Sequence, residues 1–516
     1  MDRVIKITSQ QGFSEQWTVG NEPQNLNLCD FVIPSGMAID LSRSYISFNS
    51  EITNDSGFPV NAAWHLDTDN NERFNCPTAA LIRNAHVRND RGQVESVRRI
   101  DTLACGLWSM TNTAESQKSD MNSFSVLEDG RGINNHTSYL LDCVTNNMSN
   151  NGGVLQTMTS TNLQRDLKVP LKDILGIGGA EQYSTTIFGE TRLHLETNFK
   201  KLKSSILGGD EDASLMFNLT NNYGDIVGAT VAGGGSYSVI LETSGSYGDW
   251  QKICPFFVGQ RVQCRAAVSA GAGDIDVDRT IIAMQFQTDN TANPPTGLAK
   301  VFITIDSSIF NNGLAPGAGN DRTLSAVNIR ARTTAALTNT INRAELVLHT
   351  IDDDGNMPDT LTYPTYTTEE DNGNLLTSFN KQYICEAEAD AVLIACCNNG
   401  SILPNRSIES YRYAINQEEQ TGNRDIPVCN SIQIASPLQF DRLQRCLEQQ
   451  IGVGWRNGQM RFYKQIVAQS LAHDSPITMI CETLEELPES KMLNISIECA
   501  AQLQQLIIYK HITKTI

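Results

Sequence analysis

Gly176, Gly178 and Gly179, in the run Ile174-Leu175-Gly176-Ile177-Gly178-Gly179, are of the type and spacing that could cradle a phosphate. A phosphate loop needs a strand entering the glycines and a helix leaving them, so that free N–H groups and the helix dipole face the anion. Here the predicted order is reversed. Asp166, Leu167, Pro170, Leu171, Ile174 and Leu175 read as a short helix or turn ahead of the glycines. Only afterwards do Leu193 and Leu195 alternate with Arg192, His194 and Glu196 as in a half-buried strand. No Lys-Ser or Lys-Thr pair follows, and Glu181 stands where the dinucleotide pattern needs a third glycine. The glycines read as a structural turn that stops a helix.

Other chemistry fares no better. The closest of the seven histidines, His65 and His86, are 21 positions apart, which excludes His-x-His and His-Glu-x-x-His as local metal motifs. Ser244-Gly245-Ser246-Tyr247-Gly248 has serine where a nucleophile elbow needs its first glycine. Asp274, Asp276 and Asp278, and Asp352 to Asp354 before Gly355, lack the sixth-position glycine and twelfth-position glutamate of a calcium loop, so they read as solvated loops. No catalytic, cofactor-binding or metal residue is assigned, although dispersed carboxylates leave a hydrolase open.

The totals bound what can carry these residues. A chain of 516 residues exceeds one usual core, so two or three domains are expected. A net charge of −19 opposes nucleic-acid binding, and the densest basic group, Lys200, Lys201 and Lys203, soon meets Asp210, Glu211 and Asp212. The 13 cysteines contain no Cys-x-x-Cys pair, and Cys396 with Cys397 sits in an apolar run, as buried thiols in a reducing compartment do. The stretch MDRVIKITSQQ has no apolar signal region, and no run approaches the about 18 apolar residues of a membrane span. Synthesis in the cytosol is expected.

Period-two patterns recur from end to end. They include Val262 to Val268, Ile282 to Phe286, Val301 to Ile305, Leu346 to Leu348 and Leu493 to Ile497. Ile39 and Leu41 lie on one parity, Ile46 and Phe48 on the other, which predicts two strands or one with a bulge near Arg43. Helices are expected over Ser436 to Ile451, with Pro437 at the first position and Gly452 as the stop, and over Phe462 to Ala472. Glycine-rich Gly208 to Asp212 and Gly313 to Asn320 bracket a β-rich insertion at 208–325, and Asp352 to Pro358 breaks the strand pattern again. One-faced strands with few helices predict antiparallel sandwiches or barrels.

Several stretches, in order, resemble the major capsid proteins of polinton-like viruses and virophages, of the double jelly-roll lineage. Val169, Pro170, Leu171, Asp173, Ile174, Leu175 and Gly176, then Gly189 and Arg192 to Glu196, resemble one of that family's elements. Tyr363 to Gly373 resembles its linker into the second jelly roll. "YICEAEADAVLIACC", "SYRYAINQEEQTGNRDI" and the segment ending in Leu506 to Tyr509 resemble strands of that domain. The resemblance implies an all-β chain of two tandem jelly-roll sandwiches side by side: 1–352, with the insertion, and 353–516. It implies a homotrimeric, pseudo-hexameric capsomer that tiles an icosahedral virion shell made in the host cytosol. The implied partners are neighbouring trimers and penton and minor capsid proteins, without direct nucleic-acid binding. The alternative is a β-sandwich attachment or carbohydrate-binding protein of a virion.

Overall fold

The computed structural model describes residues 3–10, 13–18, 21, 23, 25–54, 62–66, 76–111, 125–126, 162–206, 237–243, 258–268, 275–288, 299–306, 324–331, 337–353, 355–384, 388–398, 401–402, 408–421, 425–427, 442, 445–446, 479–487 and 491–516. The chain opens with β1 (Arg3–Thr8), β2 (Glu15–Thr18), β3 (Asn27–Ile33), β4 (Ala38–Asn54), β5 (Ala62–Leu66), β6 (Cys76–Pro77), β7 (Ile82–Asn89) and β8 (Gly92–Arg98). Helix α1 (Ile100–Thr111) precedes β9 (Ser125–Val126), β10 (Asn162–Pro170), β11 (Tyr183–Ser184), β12 (Thr191–Thr197) and β13 (Leu202–Ile206). After these come β14 (Tyr237–Thr243), β15 (Arg261–Val268), β16 (Ile275–Thr288), β17 (Ala299–Ile305), β18 (Leu324–Ala331) and β19 (Leu337–Thr350).

Eight of these positions wind as a jelly roll. Counting β1 with β2 as strand one, because both pair with β19, the others in chain order are β3, β4, β7, β8, β10, β12 and β19. One sheet runs β1-β19-β4-β10 and the other β3-β12-β7-β8. In strand numbers these orders are one-eight-three-six and two-seven-four-five, two sheets closed by Greek-key crossings. Alternation decides what faces inward: Ile46 and Phe48 of β4, Leu346 and Leu348 of β19, Phe31 of β3 and Leu195 of β12 are all buried. Phe199 meets Phe48 edge-on, with ring centroids 5.4 Å apart. The shift of parity in β4 is a bulge: Val347 faces Tyr45 and His349 faces Asp40, so the strand gains residues around Arg43.

Between strands seven and eight of this roll, β14 to β18 form a sheet of their own in the order β14-β17-β16-β15-β18. Val262, Ile281 and Ile305 are fully buried there.

The remaining strands are β20 (Thr362–Ile384), β21 (Ala389–Asn398), β22 (Ser401–Ile402), β23 (Ile408–Ile415), β24 (Glu418–Glu419), β25 (Ile426–Pro427), β26 (Ile480–Leu487) and β27 (Met492–Thr515). They are hydrogen-bonded into one continuous sheet. The continuity hides a second roll with the same winding. Thr362 to Asn372 of β20 pairs with the end of β27, and Ser378 to Ile384 pairs with its start, with irregular register between them. Each long strand thus serves both sheets. One order is β20 (first half), β27 (second half), β21, β26; the other is β20 (second half), β27 (first half), β23, then β24 and β25. Ile394, Tyr411, Ile495, Ile497, Leu506 and Ile508 fill the interior.

Several expectations are corrected by these pairings. Asp166 to Pro170 ends a strand, because Leu167 and Val169 alternate inward opposite Phe48 and Ile46; the helical turn is confined to Leu171–Asp173. Tyr363 to Gly373 is not a linker but the first strand of the second roll. Helix α1 went unread, although Ile100, Leu103, Ala104 and Leu107 have helical spacing. Of the helix expected over Ser436 to Ile451, Arg442, Arg445 and Cys446 are helical and the rest lies outside the described residues, as do Phe462 to Ala472. Gly208 to Asp212, Ser244 to Gly248 and Gly313 to Asn320 lie outside them too.

Inside the second roll Glu482 of β26 is buried, accepting from the Tyr411 hydroxyl and, at 2.9 Å, from Arg442 Nη1. Burial pushes its carboxyl from 4.5 up to about 8. A carboxyl raised on folding adds stability that is complete below its unfolded value and fades as pH rises through the folded one. Thermal unfolding midpoints of the wild type should therefore fall between pH 4.5 and pH 8 more steeply than those of Glu482→Gln. Parallel slopes for the two proteins would refute this.

Candidate functional site

No cluster of three or more His, Cys, Asp or Glu side chains placed to hold a metal ion occurs among the described residues. The feature with the densest buried chemistry is the seam where the first roll meets the second. It joins β8, α1 and the Leu171–Gly179 segment on one side to the first half of β20 and the adjoining part of β27 on the other.

Gly176 answers the question its glycine run raises. Its backbone is ordinary right-handed, φ −63° and ψ −44°, so no left-handed stop is being made there. A Cβ at this position would overlap the carbonyl oxygen of Pro364 in β20. At Gly178 a Cβ would collide with the backbone of Leu171, whereas Gly179 has open space. Glycine is required for close approach between rolls, not for phosphate and not for turn geometry.

Glu95 of β8 fastens that approach. Its side chain accepts from Gly176 N–H at 2.8 Å, from Ile177 N–H at 3.0 Å and from the Thr365 hydroxyl of β20. Burial pushes its carboxyl above the ordinary value, against those three donors. Beside it, the Tyr363 hydroxyl donates to the Val94 carbonyl at 3.0 Å. One turn of network further, Arg99 is 2% exposed and sits in the left-handed region at φ 54°. Its guanidinium reaches Asp101 at 3.2 Å, Thr102 at 3.0 Å and, across the seam, Gln505 at 2.9 Å. The Tyr509 hydroxyl returns a bond to the Arg99 carbonyl at 2.7 Å. Arg98 pairs with Glu370 at 2.9 Å.

Apolar packing closes the same contact. Leu103 and Leu107 of α1 cover Leu393, Ala395, Cys397 and Tyr509. Strand β21 is therefore buried on both faces, Cys396 toward its own core and Cys397 toward the seam, which explains its unbroken apolar run. Cys29, Cys396, Cys397, Cys446, Cys481 and Cys499 are free and buried. A cavity of about 920 Å³ lies beside the seam, lined by Val97, Leu103, Leu107, Leu175, Tyr363 and Tyr366 among others. His511 also borders it, with Nδ1 held by Asp390 at 2.6 Å.

The remaining candidates from the sequence stay dispersed. Asp278 pairs with Arg261 at 3.5 Å on the inserted sheet, and Asp353 accepts from Gly355 N–H at 2.9 Å in a tight turn. Sequence spacing did miss one gathering: β7 and β12 place His86 opposite His194, ring centroids 6.0 Å apart, with Asp30 and Ser96 on the flanking strands. Strand register alone brings them together, so no local motif could have shown it. No helix among the described residues is long and apolar enough to cross a membrane.

Gly176→Ala should lower unfolding stability by about 1–3 kcal/mol, as forced overpacking does. Gly179→Ala should change it by less than about 0.5 kcal/mol. Denaturant titration of the two variants decides, and equal effects would remove Gly176 from the seam.

No family model and no curated protein matches the chain. Among solved structures it is similar to the Faustovirus major capsid protein, with 7% identity, TM-score 0.37, and coverage of 100% of this chain and 90% of that one. It is similar to the mavirus major capsid protein at 8% identity, TM-score 0.32, and coverage of 97% and 88%. A chain of the Sputnik virophage shares 7% identity, TM-score 0.31, and coverage of 98% and 86%. These likenesses are distant, and the fold rests on the pairings themselves: by the winding of its own strands, the chain is a double jelly-roll protein with a β-rich insertion.

Proposed function

We propose that this chain is the major capsid protein of an icosahedral virion, acting as a structural subunit and not as an enzyme. Three copies form a pseudo-hexameric capsomer, and capsomers tile the shell. One observation carries the reading: a single chain holds two rolls of identical winding, locked side by side by a seam that leaves no room for a methyl group at Gly176. Six such rolls around an axis give a nearly hexagonal outline that can tile a surface with one protein.

The domains in this reading are 1–352 and 353–516, with the insertion at about 208–325. Support comes from β19 ending at Thr350 and β20 starting at Thr362; β14 to β18 lie between two strands of the first roll but run on to Ala331, past the 325 bound. The partners are a second and third copy, neighbouring trimers, and penton and minor capsid proteins. At −19 per chain, genome contacts fall to other proteins or to counterions. The ordered motif series in the sequence, from Val169 to Tyr509, agrees apart from the linker reading of Tyr363 to Gly373.

Purified protein should sediment at about 170 kDa, three times the 56.8 kDa chain mass, and give triangular or hexagonal particles in negative stain. A monomer that binds glycans without assembling would instead establish the attachment-protein alternative.

A further inference from the structure

The seam within the chain is heterologous: it sets the fifth- and sixth-strand side of one roll against the first-strand side of the other. Each chain therefore keeps one copy of each half unused. The first roll's strand one, β1, and the second roll's strands five and six, β24, β25 and β26, have no such place in the seam.

The two strand-one positions differ as covered and bare surfaces do. In the first half of β20, Tyr363 is 5% and Thr365 2% exposed. In β1, Val4 is 53% and Ile5 38% exposed, although β1 lies beside β19 as β20 lies beside β27. Among the described residues β1 is an edge strand with apolar side chains in solvent, an arrangement stable folds normally cover. Its charges, Arg3 and Lys6, are both basic and exposed, with Lys6 also reaching Glu345 of β19 at 3.5 Å. On the unused side of the second roll, Glu418 and Glu419 form β24, with Glu418 exposed, and Asp425 beside β25 is already paired with Arg412 at 3.1 Å.

We infer that β1 is the docking strand for a second copy of this chain, whose β24–β26 side covers it and so repeats between chains the contact that joins the two rolls within one. This rests on the trimer reading above and names the surfaces it uses. A repeated head-to-tail contact either closes into a ring or grows as a filament, and six rolls in three chains close it. Because opposite charges meet, the contact weakens as salt rises.

Charge reversal tests the assignment. Arg3→Glu with Lys6→Glu, and separately Glu418→Lys with Glu419→Lys, should each reduce the sedimenting species from about 170 kDa to the 56.8 kDa monomer, with far-UV circular dichroism unchanged. Combining all four substitutions in one chain should restore the trimer, whereas mixing the two variants should not, because a ring of three always leaves one like-charged contact. Val4→Glu should dissociate the trimer by the apolar route. If a β1 variant fails to fold, the β24 pair, on the other roll, decides alone. A wild type that is monomeric would overturn the trimer reading itself. A trimeric wild type whose folded β1 and β24 variants remain trimeric would overturn only this assignment.

Discussion

At Gly176 the first roll's backbone and the second roll's Pro364 carbonyl approach so closely that the position admits hydrogen and nothing larger. Every other feature of the seam is arranged around that distance. Glu95 accepts from both sides of it, and Arg99, buried and in a left-handed backbone conformation, spans from its own turn to Gln505 on β27. Helix α1 then seals the apolar side. Apolar contact alone would allow the rolls to slide, since it is non-directional. Buried hydrogen bonds with fixed partners admit one relative placement, because any other leaves a desolvated carboxylate or guanidinium unpaired.

The seam also explains why the two rolls look so different at the level of sheets. In the first, no strand among the described residues is shared and the two sheets are separate. In the second, β20 and β27 are long enough to run from one sheet into the other, bending where their register slips near Leu376. The half of β20 that faces the first roll is thus continuous with the half that closes the second roll's other sheet. Pro364 in the seam and Phe379 in the second roll's core therefore lie on one strand.

How much of this was legible depended on where the signal was stored. Strands with one wet face, such as β12 with Leu193 and Leu195, declare themselves by alternation. So did the bulge in β4, because parity changes between Leu41 and Ile46. The glycine run was legible as structural, but its reason was not: close approach to Pro364 depends on a residue almost two hundred positions away. Asp166 to Pro170 misled because five residues fit a turn as well as a strand, and only pairing with β4 separates them. Tyr363 to Gly373 reads as a linker by resemblance alone; its Thr368 and Glu370 meet Arg98, contacts invisible in the sequence. His86 and His194 were likewise separated by chain distance and joined by register.

Charge placement sets the last constraint. The chain carries 58 acidic against 39 basic residues, yet it commits cations to buried work: Arg99 and Lys510 are each 2% exposed. Lys510 is held by Glu369 and the Ile384 carbonyl inside the second roll. At −19 per chain, copies repel one another at distances beyond contact. Screening at physiological ionic strength confines that repulsion to about 8 Å, leaving short-range complementarity to decide which surfaces meet. A protein so charged can associate in register only where it has kept basic side chains in solvent, and β1, with Arg3 and Lys6 flanking two bare apolar residues, is such a place.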